Sequence, residues 1–169
     1  MIFKQWQQVL DGTKTQTRRP CKGEDEQYTW CTPTMEDGLI TGHRILEVVE
    51  INKAGGHKLK WAVGKTYAVQ PGRGKKAVGR IRITKIRRER LGDISEEDCL
   101  AEGIIENTKA FLGDSGIVIV AYECPICGAE LLLPLAAYAC LWNHCYGNGA
   151  WEHMKDDDVF VLEFEPCDE

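Results

Sequence analysis

The sequence predicts an α+β fold, a small and mostly β mixed barrel with helices flanking its openings. Three observations point there. β-Branched segments bounded by turn signals recur along the chain, helical segments are few and short, and the two kinds interleave irregularly. The 169 residues are 43% hydrophobic and 28% charged, ordinary values that fit one domain, residues 1–169, with a real core.

The elements follow in order. Phe3, Trp6, Val9 and Leu10 recur at helical spacing, so residues 2–11 are expected to form an amphipathic helix stopped at Gly12. Asp11-Gly12 is a turn signal and Pro20 blocks a long helix, so residues 11–19 leave as a loop or short strand. Residues 22–42 show no periodicity and read as a polar loop carrying Trp30 and Cys31. Residues 44–51 are β-branched-rich and strand-like. Gly55-Gly56 breaks the chain, and Val63-Gly64-Lys65 turns into a second strand, 66–70, which Pro71-Gly72 ends. A third strand over about 77–86 alternates: Val78, Ile81 and Ile83 against Arg80, Arg82 and Thr84. Such alternation means one buried and one wet face. Ser95 is an N-cap, followed by Glu96, Glu97 and Asp98 in the first turn, and that helix runs to about Glu102 with Gly103 as its stop. Residues 117–122 read as a fourth strand and 131–145 as a helix starting near Pro134, with 147–149 as its end. Residues 158–165 form a closing strand.

Chemistry concentrates in residues 11–19. Thr13, Thr15 and Thr17 supply hydroxyls, Lys14 an amine, and Arg18 and Arg19 a guanidinium pair. A lysine among threonine hydroxyls can activate a nucleophile or hold an oxyanion, and the same set can simply grip phosphate. Glu102 stands out because the helix dipole disfavours an anion in a last turn, and local conflicts of this kind gather at functional sites. Net charge is −5, against a nonspecific DNA coat, yet residues 73–90 hold nine Lys/Arg and one acid, Glu89. That asymmetry reads either as a basic face for phosphate or as a solvated strand face.

The eight cysteines are read as thiols or metal ligands rather than disulfides, because the N-terminus lacks a signal-peptide pattern and a cytoplasmic address is expected. No apolar run approaches the roughly 20 residues of a membrane span. Cys124, Cys127, Cys140 and His144 follow C-x2-C-x12-C-x3-H, a finger spacing, so a zinc-knuckle insertion is expected at about 120–146. Tyr122 and Leu131 occupy finger core positions. Cys145 is a rival fourth ligand, and Cys21 and Cys31 are alternatives if the 22–42 loop folds over the knuckle. Four ligands close a structural site with no position left for water.

Several blocks together resemble the ASCH family of the PUA-like superfamily. They are Gly12-Thr13-Lys14-Thr15-Gln16-Thr17-Arg18-Arg19 and the run from Val63-Gly64-Lys65 through Gln70-Pro71-Gly72-Arg73. Ile81-Arg82-Ile83, Asp93-Ile94-Ser95-Glu96-Glu97-Asp98 and Ala101-Glu102-Gly103 continue the pattern. Leu141-Trp142, Tyr146-Gly147, Trp151 and Val159-Phe160-Val161-Leu162-Glu163-Phe164 complete it. The resemblance implies a PUA-like barrel with a cleft between barrel and helices, and recognition of RNA or a modified nucleoside. Small family members are amidohydrolases that deacetylate N4-acetylcytidine. The resemblance then implies Thr17 as nucleophile, Lys14 as its base, and Glu102 in proton transfer. Arg18, Arg19 and Arg73 would hold a phosphate or carbonyl oxygen. The chain departs from the smallest amidohydrolases in its length, its finger, and the polar Gln16 inside the motif. A non-catalytic RNA-binding module is the alternative.

Overall fold

The computed structural model describes residues 1–21, 26–36, 39–51, 54–110 and 118–167, without the side chains of 26–36, 39–43, 108–110 and 118–119. The strands are β1 (Gln16–Pro20), β2 (Glu26–Glu36), β3 (Leu39–Ile51), β4 (His57–Ala62), β5 (Thr66–Val69), β6 (Gly79–Arg90), β7 (Ile105–Ala110), β8 (Val118–Glu123), β9 (Glu130–Leu131) and β10 (Asp158–Cys167). The helices are α1 (Trp6–Leu10), α2 (Glu96–Ala101), α3 (Pro134–Tyr146) and α4 (Ala150–Met154).

A seven-stranded sheet runs β1-β10-β6-β3-β2, with β4 added to β3 and β5 to β6. Its strand pairs are antiparallel. β6 gives one edge to β10 along most of its length and divides the other. Its first residues pair with β5, while Ile86 meets Ile45 of β3. The sheet therefore branches, and among the described residues it does not close into the expected barrel. A second antiparallel sheet holds β7-β8-β9.

β10 is the strand around which the layers gather. Val159 and Val161 pack with α3, α4 and the residues around Cys124, while Phe160 and Leu162 pack with β3, β4 and β6. Burial on both faces explains its almost unbroken apolar run. Phe164 extends it against Phe3, whose ring it meets edge-on with centroids 5.6 Å apart. That contact explains why α1 spans five residues rather than ten. Residues 2 and 3 instead bridge to Gln70, Phe3 N–H donating to its carbonyl at 2.9 Å.

Other departures from the sequence reading have physical causes. Residues 26–36 pair with β3 as a long hairpin instead of a polar loop. Three register shifts, at Thr29/Trp30, Cys31/Pro33 and Thr34/Met35, break any regular alternation there. The side chains of Trp30 and Cys31 lie outside the described residues. β4, β7, β9 and α4 were not anticipated, being short or rich in polar residues. Among the described residues, no helix is long and apolar enough to cross a membrane.

Phe160→Ala, a cavity in the doubly covered strand, is expected to cost about 3–5 kcal/mol in urea unfolding. Leu132, 72% exposed, should tolerate alanine within about 0.5 kcal/mol.

Candidate functional site

Residues 13–15 are threaded between α1, α2 and β10 by their backbone. Lys14 N–H donates to the Gln8 carbonyl at 2.8 Å, and Thr15 N–H to the Ala101 carbonyl at 2.9 Å. The Thr15 carbonyl accepts from Phe164 N–H at 2.8 Å. Gly12 makes the preceding turn at φ +81°. This lays the Lys14 side chain under the end of α2, whose cap is Glu102. Lys14 Nζ reaches both a carboxylate oxygen and the backbone carbonyl of Glu102, each at 2.6 Å. Gln5 Nε2 donates to that same carbonyl at 3.1 Å, and Gln8 Nε2 to the Gly103 carbonyl at 3.0 Å. The orphan carbonyls of the helix end are thus capped by side chains from the α1 region. Gly103 is required here: its φ is +92°, and a Cβ would lie 2.8 Å from Gln8 Oε1 and 2.9 Å from Gln5 Nε2.

Arg18 completes the network. Its guanidinium is fully buried and reaches Glu102 at 3.3 Å, Asp98 at 2.6 Å and Glu89 through Nε at 2.9 Å. It lies 5.9 Å from the Tyr138 ring centroid. Arg87 links Asp98, Glu89 and Glu163, and Gln16 donates to the Asp98 carbonyl at 2.9 Å. Burial lowers the Lys14 proton affinity, with Glu102 opposing and not cancelling it. Burial also works against the Arg18 cation, but Glu102 and its other neighbours hold it charged. Burial acts to raise the Asp98 carboxyl, yet hydrogen bonds from Gln16 and Arg18 bring it below the usual range.

Lys14, Thr17, Arg18, Arg19 and Glu102 all line one cleft of about 160 Å³. Thr17 is 5% exposed, and its hydroxyl has no hydrogen-bond partner among the described residues. Tyr138, Leu141, Trp142, Cys145 and Tyr146 of α3 form the facing wall. The sequence reading assigned these aromatics no role. Trp142 and Tyr146, one turn apart with rings 4.2 Å between centroids, carried the signal for it. Arg19 stands over the Phe3 ring at 5.4 Å and donates to the Ile2 carbonyl at 2.9 Å. Arg73 does not join: it is exposed in the turn between β5 and β6, outside the cleft lining. Arg18 spends its donors on carboxylates and is a support for Glu102 rather than a free phosphate ligand.

Within the basic stretch 73–90, Arg73, Lys75 and Lys76 are exposed and Arg80 donates to Thr66 at 2.9 Å, whereas the cations from Arg82 onward face carboxylates across the sheet. Arg82 faces Glu165 at 3.6 Å, Lys85 faces Glu163 at 3.3 Å, Arg88 faces Asp158 at 2.6 Å, and Arg90 pairs with Asp156. The antiparallel register of β6 on β10 sets the basic strand beside the acidic one.

A second cluster lies on the other side of α3. Donor atoms of Cys124, Cys127, Cys140 and His144 all lie within 4.8 Å of one another, and could hold a metal ion. The β8–β9 pair holds the knuckle, with Tyr122 opposite Leu131. Cys124 N–H donates to the Ala129 carbonyl at 2.9 Å, and Gly128 N–H to the Cys124 carbonyl at 2.9 Å. Cys127 and Cys140 sulfurs are 3.6 Å apart, close to the roughly 3.8 Å edge of a tetrahedron with metal–sulfur bonds of about 2.3 Å. The Ala129 backbone and neighbouring ligands draw the Cys127 thiol down to about 7, while burial and Cys127 itself push Cys140 up to about 12, as for two thiols sharing a proton. Cys145 and Cys21 are outside this cluster: Cys145 lines the cleft, and Cys21 packs beside the β3–β6 core. Cys99 is buried and its thiol is pushed up to about 12 by that burial, so it is inert.

No family model, curated protein or solved structure matches the chain.

Glu102→Gln leaves Lys14 and Arg18 buried without their shared anion. It should cost about 3–5 kcal/mol in chemical denaturation, whereas Glu165→Gln at the exposed Arg82 pair should cost under about 1 kcal/mol.

Proposed function

We propose that the cleft is the active site of an amidohydrolase acting on an N-acylated pyrimidine nucleoside, and that the chain is a PUA-like member of the ASCH family. The carrying observation is the buried 2.6 Å contact of Lys14 with Glu102 in a cleft that Thr17 lines. Three features support the chemistry. The amine is desolvated, so it loses its proton more readily than an exposed lysine. The threonine hydroxyl has no competing partner among the described residues. The aromatic wall of Tyr138, Trp142 and Tyr146 suits a flat heterocycle.

The reaction balances on the pair. The Lys14 ammonium first passes a proton to the Glu102 carboxylate across their 2.6 Å contact, leaving a neutral amine and a carboxylic acid. Thr17 Oγ bonds to the acyl carbon and passes its proton to Lys14 Nζ. The carbon–nitrogen bond of the amide then breaks, and Glu102 gives its proton to the leaving amine. That leaves an acyl-threonine and the ion pair seen at 2.6 Å. Water attacks the ester, its proton going to Glu102, and Lys14 returns a proton to Thr17 Oγ as the acid departs. Arg18 acts as a positioning residue, holding Glu102 against Lys14.

We further propose that Cys124, Cys127, Cys140 and His144 hold zinc. Three thiolates and one imidazole at these separations suit that ion, and a closed set of four gives it a structural role. The ion closes the β8–β9–α3 unit and supplies no chemistry to the cleft. The non-catalytic RNA-binding alternative loses support from β6, whose cations Arg82, Lys85, Arg87, Arg88 and Arg90 face carboxylates.

Purified protein should release cytidine from N4-acetylcytidine, with a rate that falls at high pH, as the Lys14–Glu102 pair loses the one proton the scheme needs, and sooner than an exposed lysine would because burial lowers the Lys14 proton affinity. Lys14→Arg, a cation that does not deprotonate, and Thr17→Ala should each lower kcat by at least about 100-fold while keeping the wild-type melting temperature within a few degrees. Turnover persisting in Thr17→Ala would remove the nucleophile from the scheme. Metal analysis should find one zinc per chain, lost in Cys140→Ser together with part of the α3 helical signal.

A further inference from the structure

Trp142 carries an unmet hydrogen-bonding group in the cleft wall. The residue is 3% exposed and lines the cleft, yet its Nε1 is buried with no hydrogen-bond partner among the described residues. An indole nitrogen donates and does not accept, so only an acceptor can satisfy it. A buried donor left unmade is costly and rare in folded proteins, and a buried tryptophan usually finds a partner for its N–H. Other polar side chains of the cleft are engaged. Lys14 holds Glu102, Lys4 holds the His144 carbonyl, and Arg19 holds the Ile2 carbonyl.

The donor sits at a defined depth. Tyr138, Trp142 and Tyr146 follow one another at one-turn spacing on α3, with exposures of 1%, 3% and 38%. The row therefore runs from the buried end of the cleft to its mouth. The Arg18 guanidinium lies 5.9 Å from the Tyr138 ring centroid and holds Glu102 at 3.3 Å, so the reactive pair belongs to the buried end. Trp142 is one turn, about 6 Å, nearer the mouth. Its ring centroid is 6.2 Å from that of Tyr138 and 4.2 Å from that of Tyr146. Tyr146, the exposed member of the row, is the ring that a ligand entering from the mouth meets first.

We propose that the Trp142 indole N–H is the donor that reads the C2 carbonyl oxygen of a pyrimidine base seated in the cleft. The inference rests on the reading of the cleft as a site for an N-acylated pyrimidine. With the amide on C4 held against Thr17 and Lys14, the ring extends outward from the buried end. It then presents two acceptors beyond that amide, N3 and the C2 oxygen, and the oxygen is the farther of the two. Trp142 stands in that direction. The ligand supplies the acceptor that the cleft wall lacks, so binding turns an unmade donor into a made one. Trp142 is then a specificity residue. It favours rings with an oxygen at this position and takes no part in proton transfer.

The test is binding, independent of hydrolysis, followed by nuclear magnetic resonance and calorimetry. The ligands are cytosine and 4-aminopyrimidine, which keeps N3 and the amine and lacks the C2 oxygen. The indole N–H resonance of Trp142 is picked out among the five tryptophans by its loss in Trp142→Phe. In wild-type protein that resonance should move downfield with cytosine and not with 4-aminopyrimidine. Cytosine should bind about tenfold or more tightly than 4-aminopyrimidine. That preference should fall toward one in Trp142→Phe, which keeps an aromatic wall without the donor. Should thermal melts show that variant unfolded, the two ligands on wild-type protein decide alone, with the resonance assigned through its proximity to the Tyr146 ring. No binding of cytosine, equal affinity for the two ligands, an unmoved indole resonance, or a preference intact in folded Trp142→Phe overturns the assignment. A shift with N4-acetylcytidine bound to Thr17→Ala and none with cytosine puts the donor on the acyl oxygen, and overturns it too. If the preference for cytosine holds but N4-acetylcytidine is not cleaved, base recognition stands and amide hydrolysis falls. If cleavage occurs without the preference, only the Trp142 assignment falls.

Discussion

The carboxylate of Glu102 lies at the negative end of a six-residue helix, almost wholly removed from water, and Lys14 and Arg18 make it tolerable there. Helix polarity and desolvation both disfavour an anion at this point. Two cations, from residues 88 and 84 positions away in sequence, reverse the balance. Each cation carries its own desolvation cost, so the network extends until charges match. Lys14, Arg18 and Arg87 stand against Glu102, Asp98 and Glu89. The network joins the segment after α1, β1, β6 and α2. Removing one member strands a charge in a place where water cannot reach it, which binds the site chemistry to the integrity of the fold.

The same logic of matched charge explains a feature that would otherwise point to nucleic acid. Residues 73–90 are basic and the chain from 156 onward is acidic, and the antiparallel register of β6 and β10 brings the two together. Most of these pairs are at the surface, where each contributes little to stability. Their larger effect is on the field around the molecule. With Arg82, Lys85, Arg87, Arg88 and Arg90 each facing a carboxylate, the basic run does not make one continuous positive face. A positively charged stretch of sequence and a positively charged surface are therefore different objects here.

What could be read in the sequence was whatever depended on local rules. The alternation of Ile81 and Ile83, the Ser95 cap accepting from Asp98 N–H at 3.1 Å, and Pro134 in the first turn of α3 were each readable within a few residues. So was the grouping of Cys124, Cys127, Cys140 and His144, which lie together and could hold a metal ion, and whose spacing is itself the geometric constraint. The Lys14 and Glu102 positions were marked, one by clustered chemistry and the other by conflict with the helix dipole. Their contact was not, because 88 residues of topology intervene. Arg18 reads as a phosphate ligand because arginine is rarely buried, and nothing near it in sequence announces Glu89, Asp98 and Glu102. The 26–36 strand was hidden because its pairing slips register three times, erasing the period that reveals strands.

The relation between the two clusters follows from helix geometry. At about 100° per residue, Cys140 and His144 are separated by about 40° on α3, whereas Tyr138, Trp142, Cys145 and Tyr146 gather on the opposite side. The first pair faces the Cys124–Cys127 knuckle and the second group faces Lys14 and Thr17. Lys4, itself a cleft residue, donates to the backbone carbonyl of His144, so the last turn of α3 is gripped from the cleft side as well. A rotation of one residue would carry Cys140 away from Cys127 and swing Trp142 out of the cleft wall together. Ligands that fix the helix about its axis therefore also fix the aromatic wall, although none of their donor atoms faces the cleft. A metal ion held by Cys124, Cys127, Cys140 and His144 would therefore act on the same rigid element that carries the aromatic wall facing Lys14 and Glu102.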